Sequence, residues 1–208
     1  MSQEGESRPP VGIGEAFGPG PNRRLNAEVA SLQARGLDEN MYRYAEGYRQ
    51  AGVAVYEASL RNRQPPEFAV WPLAFLWRHH VELALKWLIA SGRALDGEEQ
   101  TFPEHHGLTK LWREAKPYLV QISSDEDLGI ADAEARLIEF EKVDPGAVGF
   151  RYPLAKNLQG PSLPTSLAEV NLQRLHESMT ELADFLDSAH MALSVALDAA
   201  RDAEAYYR

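Results

Sequence analysis

One helix-length stretch of this chain carries side chains that could hold an anion and move a proton: Leu76, Trp77, Arg78, His79, His80, Val81, Glu82, Leu83, Ala84, Leu85, Lys86 and Trp87 in unbroken order. Residues three and four apart share a face of an α-helix, so Arg78, Glu82 and Lys86 form one polar stripe with His79 beside Glu82. Trp77, Val81, Leu83, Ala84, Leu85, Trp87 and Leu88 cover most of the remaining circumference, as in a helix central to its bundle. Two chemistries fit the stripe. On a narrow exposed edge the three charges are a ladder that stabilises the helix by a few tenths of a kcal/mol per pair. In a cleft, an arginine, two histidines and a lysine near a carboxylate bind phosphate and exchange protons near neutral pH.

A second cluster, His105-His106-Gly107-Leu108-Thr109-Lys110-Leu111-Trp112, heads another helical pattern. Its first backbone N–H groups could receive an anion. Equally, one histidine caps the helix while Leu108, Leu111 and Trp112 enter the core. The third cluster runs from Asp144-Pro145 to Phe150-Arg151-Tyr152-Pro153. Arg151 either reaches across the bundle toward a carboxylate, or belongs to a packing latch in which Phe150 and Tyr152 are buried and Arg151 neutralises Glu82 or another acid. The catalytic candidates are therefore Arg78, His79 and His80, and the ligand-binding candidates Glu82, Lys86, His106, Lys110, Arg151 and Tyr152.

The elements that must position these residues are helical throughout. Residues 1–22, rich in Gly and Pro, read as a disordered tail, and 23–208 as one domain. Leu25, Val29 and Leu32 mark a first helix that stops at Gly36. A second is expected from an N-cap at Asp38 to about Arg63, with Met41, Tyr44, Tyr48, Val55 and Leu60 on its apolar face. Pro65-Pro66 separates it from the striped helix, which Pro72 opens as its first residue and Gly92 closes. Further helices are expected over about 106–121, interrupted at Pro117, and over about 125–142, with Ile130, Ala133, Leu137 and Phe140 on one side. Residues 143–165 read as an irregular loop, long enough to suggest function. Ser166 and Glu169 match a capping box for a last helix over 166–205, expected to break or fray after Asp187. The pattern is an all-α, up-and-down helical bundle.

Composition narrows the function. The 208 residues suffice for one core, with 44% hydrophobic and 25% charged residues. Cysteine is absent, which removes disulfides, thiolate nucleophiles and Cys-ligated zinc. The net charge of −10 argues against a broad electrostatic footprint for nucleic acid, though not against a local basic pocket. The most apolar run, 68–90, contains Arg78, His79, His80, Glu82 and Lys86, too many ionisable groups for a membrane span. With no signal-peptide pattern at the N-terminus, a cytoplasmic location and no membrane partner are expected. Di-iron bundles need paired Glu-x-x-His motifs, and the chain offers only the reversed His79-x-x-Glu82. No metal ligand set and no cofactor are expected, and motifs for phosphate-loop or dinucleotide binding are missing.

Taken in order, Phe75 to Lys86, His106 to Trp112, and Phe150 to Pro153, with Tyr44, Gly47 and Tyr48 upstream, resemble a bacterial branch of the HEPN superfamily. Those small helical bundles occur in toxin–antitoxin, abortive-infection and other defence proteins. The resemblance spans about 40–153 and implies a four- or five-helix core, a homodimer, and often metal-independent RNA cleavage by an Arg-x(4–6)-His motif. That motif is missing: no Arg is followed five to seven positions later by His, and Arg78-His79-His80 has no spacer. The expected function is a non-catalytic or regulatory module of a defence or stress system, acting with a protein partner of that system. The alternative is a ribonuclease with a rearranged site, in which Arg78 holds a phosphate of RNA or a nucleotide, a histidine is the base, and Lys86 or Arg151 stabilises developing charge.

Overall fold

The computed structural model describes residues 24, 36–122, 129–155, 158 and 160–206. The chain divides after Gly36 into two units, Met1–Gly36 and Leu37–Arg208, and the described residues of the second form five helices. These are α1 (Leu37–Leu60), α2 (Pro66–Leu95), α3 (Leu108–Ile122), α4 (Ile130–Val143) and α5 (Leu172–Tyr206). The expected N-terminal tail, the helix of Leu25, Val29 and Leu32, and the start at Asp125 all lie outside the described residues. The described fold is an all-α helical bundle, and none of its helices is long and apolar enough to cross a membrane.

α1 buries Met41, Ala45 and Gly52, spaced at helical intervals along one side. This corrects the expected apolar face, since Tyr44 and Leu60 are exposed. Small residues win because α2 lies close: a β-carbon on Gly52 would stand 3.3 Å from the indole nitrogen of Trp77. Asp38 is within the first turn rather than capping it, and its Oδ1 accepts from Trp87 Nε1 (3.1 Å) and Gln100 Nε2 (2.9 Å). Asn62, at φ 53°, ends the helix in the left-handed conformation, with Arg63 N donating to Ala58 O.

α2 is the axis of the bundle, packed against α1, α3 and α5 and buried almost all round from Leu73 to Gly92. It starts at Pro66, not Pro72. Proline at the first helical position wastes no hydrogen bond, whereas Pro72 inside the helix leaves the carbonyl of Phe68 without its usual donor. Gln64 Nε2 lies 3.5 Å from that carbonyl. Gly92 does not stop the helix either. It lies inside it because the ring of Tyr118 occupies the space of its side chain, a β-carbon there falling 2.2 Å from Tyr118 Cγ. The stop is Gly97, at φ 77°, with Glu98 N donating to Arg93 O.

Contacts along the helices set their directions. Ala45–His80, Tyr48–His79 and Asp38–Trp87 pairs make α1 antiparallel to α2. Arg78–His106 and Arg93–Glu114 contacts show that the loop after α2 returns along it, so α3 runs parallel to α2. α4 turns back against α3 through Lys116–Glu134, and α5 runs with α2 through Trp77–His176 and Ser91–His190. α3 continues through Pro117 without interruption. The capping box at Ser166 is not used: α5 begins six residues later, where Asn171 Oδ1 accepts from Arg174 N at 3.0 Å. α5 also does not break after Asp187, because buried Leu193 and Leu197 continue its apolar stripe.

Candidate functional site

The polar stripe of α2 is buried, not an exposed ladder. Arg78, Glu82 and Lys86 are 3%, 4% and 6% exposed. Glu82 is the hub. Its Oε1 accepts from Lys86 Nζ at 3.1 Å and from His106 Nδ1 at 2.6 Å, and its Oε2 from Arg78 Nη1 at 3.3 Å. Burial by itself would raise the Glu82 pKa, but the hydrogen bonds from His106 and Lys86 outweigh it and hold the carboxyl below its ordinary value.

Arg78 ties three segments to α2. Its Nη2 donates to the backbone carbonyl of His106 at 2.9 Å, and the same nitrogen lies 4.0 Å from Glu141 Oε2 at the end of α4. Its Nε stands 3.7 Å from Asp144 Oδ2. Asp144 is 2% exposed, and its Oδ1 accepts from Val148 N and Gly149 N, which fixes the turn after α4. Glu141 Oε2 accepts from Leu108 N at 2.6 Å. The first N–H group of α3 is thus taken by the chain's own carboxylate rather than left open to an anion. Neither histidine caps that helix: His105 pairs with Glu114 at 2.8 Å and His106 with Glu82.

A cavity of about 670 Å³ opens over the Arg78–Glu82 end of this network, between α2, the loop before α3 and the segment after α4. Its polar wall is Arg78, His79, Glu82, His106 and Arg151, and its apolar wall includes Phe75, Val148, Pro153, Leu154 and Leu158. Of the ligand-binding candidates, Glu82, His106, Arg151 and Tyr152 line this space together. Lys86 stands behind Glu82, 5.8 Å from the Phe102 ring centre, and Lys110 is on the exposed side of α3. Neither reaches the cavity wall.

The three catalytic candidates are separated. Arg78 is engaged by the network just described. His80 points to the other side of α2, where Nδ1 meets the carbonyl of Ala45 at 2.9 Å. It is 1% exposed, and burial pushes its pKa down. Only His79 faces the cavity with its ring nitrogens unpaired among the described residues. It lies edge-on to Tyr48 (4.3 Å between ring centres) and parallel to Phe75 (5.8 Å, 9°). Burial lowers its pKa, outweighing the opposing field of Glu82, so at neutral pH it is an uncharged imidazole. His106 differs: its side chain is 67% exposed, its Nδ1 carries the proton shared with Glu82, and its Nε2 is left for chemistry.

Arg151 is not the partner of Glu82 or of any carboxylate within 4 Å among the described residues. Its Nε donates to Ala147 O at 2.8 Å, and its guanidinium lies 6.0 Å from the Phe75 ring centre and 5.7 Å from that of Tyr152. The latch is half as expected: Phe150 is buried against Phe140, while Tyr152 is 57% exposed. Sequence reasoning missed Glu141 as a partner of Arg78 and Val148 as a cavity wall. Asp144-Pro145-Gly146 signals a turn, but nothing local says which arginine that turn will face. Among the described residues no group of three or more His, Asp or Glu side chains could hold a metal ion. Compared with known proteins, the chain matches no family model, no curated protein and no solved structure.

Proposed function

We propose that this chain is a non-catalytic, regulatory binding module, HEPN-like in the arrangement of its motifs, which works as a homodimer with a protein partner in a cytoplasmic defence or stress system. The observation that supports this reading is the condition of Arg78. The arginine that would hold a scissile phosphate is 3% exposed and already meets Glu82, Asp144 and the carbonyl of His106. A guanidinium so committed positions the surrounding loops, and its release to a substrate would take from buried Asp144 its one cation within 4 Å among the described residues and from Glu82 one of its three donors. Without that phosphate grip and without a spaced Arg–His motif, the site keeps concave shape and polar groups suited to recognition.

A second reading has one specific observation in its favour. His106, oriented through Nδ1 by Glu82, presents a free Nε2 in the same cavity as the neutral His79. Two imidazoles and the cation Arg151 form the kind of set that cleaves RNA without metal, one imidazole taking the 2′-hydroxyl proton and the other protonating the leaving oxygen. Incubation of the purified chain with single-stranded and structured RNA in EDTA separates the two. The binding reading expects intact RNA, and a dimer by light scattering. Cleavage that is abolished in both His79→Ala and His106→Ala would replace it with the nuclease reading.

A further inference from the structure

Among the described residues, Arg151 is the one cation on the cavity wall with no carboxylate within 4 Å, and what surrounds it is mostly carbon. We propose that this cavity takes a monoanionic aromatic small molecule, an aryl carboxylate or sulfonate, with its ring against Phe75, Val148 and Leu154 and its acid group on Arg151. The inference rests on the binding reading of the same cavity and names the ligand class that reading leaves open.

Size comes first. A space of about 670 Å³ is in the range of pockets that enclose a small molecule, and such pockets combine apolar walls with a few polar groups that fix orientation. Shape is next. Phe75 and His79, whose rings are parallel to within 9°, both line one side of the cavity. The Arg151 guanidinium is 6.0 Å from the Phe75 ring centre and 5.7 Å from that of Tyr152, and its side chain is exposed, so its charge sits at the rim beside aromatic surface.

Charge then decides how many acid groups the ligand carries. In the polar wall and behind it, the carboxylates of Glu82, Glu141 and Asp144 stand against two cations, Arg78 and Lys86. That inner network repels further negative charge, and its two cations are already paired. One unpaired guanidinium at the rim therefore favours one negative charge, held by paired N–H donors that match a planar carboxylate or sulfonate edge. A phosphate monoester, which carries nearly two charges at neutral pH, would put the second against the network. His79, uncharged and without a hydrogen-bond partner among the described residues, offers the ligand a neutral hydrogen-bonding group beside Phe75.

The test uses 2-naphthoate as the probe in calorimetric titration of the full chain. Saturable one-to-one binding is expected, weakened by roughly tenfold to a hundredfold in Arg151→Ala, the range for loss of a charge-assisted hydrogen bond. Arg151→Lys should recover part of that loss, and neutral 2-naphthamide should bind about as weakly to the wild-type protein as naphthoate binds to Arg151→Ala. Arg151 is exposed, so both variants are expected to fold, which circular dichroism checks. The assignment is overturned by folded wild-type protein that does not bind naphthoate, by binding that Arg151→Ala leaves unchanged, or by inorganic phosphate or adenosine monophosphate binding as tightly as naphthoate. RNA cleavage by the same preparation would remove the regulatory reading but leave the ligand assignment in place if naphthoate still binds.

Discussion

Replacing Glu82 with Ala distinguishes a buried hub from a decorative surface ladder. Glu82 is 4% exposed and accepts from Arg78, Lys86 and His106. Its removal leaves the Lys86 ammonium, 6% exposed, without any carboxylate within 4 Å among the described residues, and takes from Arg78 its nearest one. Truncating one half of a buried ion pair costs about 3–5 kcal/mol, against about 0.3–0.5 kcal/mol for an exposed pair four residues apart on a helix. For a domain of this size that is a fall in Tm of about 6–20 °C. Urea unfolding at pH 7, followed by circular dichroism and by fluorescence of the buried Trp77 and Trp112, gives the free energy directly. Glu82→Ala/Lys86→Met removes both charges, so it should be more stable than Glu82→Ala alone. A loss under about 1 kcal/mol in the single variant, or a double variant no better than the single, would refute the reasoning.

Other perturbations test other parts of the structure. In the folded protein the pKa values of His79, His80, His176 and His190 are all lowered, chiefly by burial, and that of His190 falls to about 4. Between about pH 6.5 and 4 the unfolded chain takes up protons that the fold refuses. Stability is therefore full above that window and falls as pH drops through it, by up to about 3 kcal/mol for His190 alone. His190→Gln, which can still reach Ser91, should flatten the acid limb of urea midpoint against pH; an unchanged limb would count against this. Gly92→Ala drives a methyl group into the Tyr118 ring and should destabilise by about 1–3 kcal/mol. Gly92→Ala/Tyr118→Ala should lose clearly less than the sum of its single variants by denaturant midpoint, and simple additivity would exclude the contact as the cause. Asp144→Asn keeps acceptors for Val148 and Gly149 N–H but loses the charge facing Arg78, whereas Asp144→Ala loses both. The Ala variant should unfold at lower urea, with an extra cost of about 1–3 kcal/mol, and equal losses would show that the turn does not depend on those bonds.

The helical class and the central place of α2 were legible in the residues themselves. Apolar side chains at three- and four-residue intervals bury only if the segment is helical, and a segment apolar nearly all round buries only at the centre of a bundle. The same spacing put Arg78, Glu82 and Lys86 on one face, and that held. Local signals decided helix ends less well. Ser166 and Glu169 look like a cap but stand outside α5, Pro72 is accommodated inside α2, and Gly92 answers to a tyrosine 26 positions away rather than to the end of its helix. Propensity at such positions is worth about 1 kcal/mol per residue, or about 3 for proline, and the packing of a long apolar face outweighs it.

The candidate site divides along the same line. Which residues could do chemistry followed from type and spacing alone: arginine, histidine, glutamate and lysine on one face of a helix, and Arg151 between two aromatics. Which of them remain available did not, because availability depends on groups far apart in the chain. Glu141 and Asp144 arrive from α4 and the turn after it to occupy Arg78, the carbonyl of Ala45 takes His80, and Arg151 has no carboxylate within 4 Å among the described residues because those of the network engage Arg78 and Lys86. A buried charge must find its partner wherever the fold brings one, so its pairing is a property of the assembled bundle and not of the local sequence.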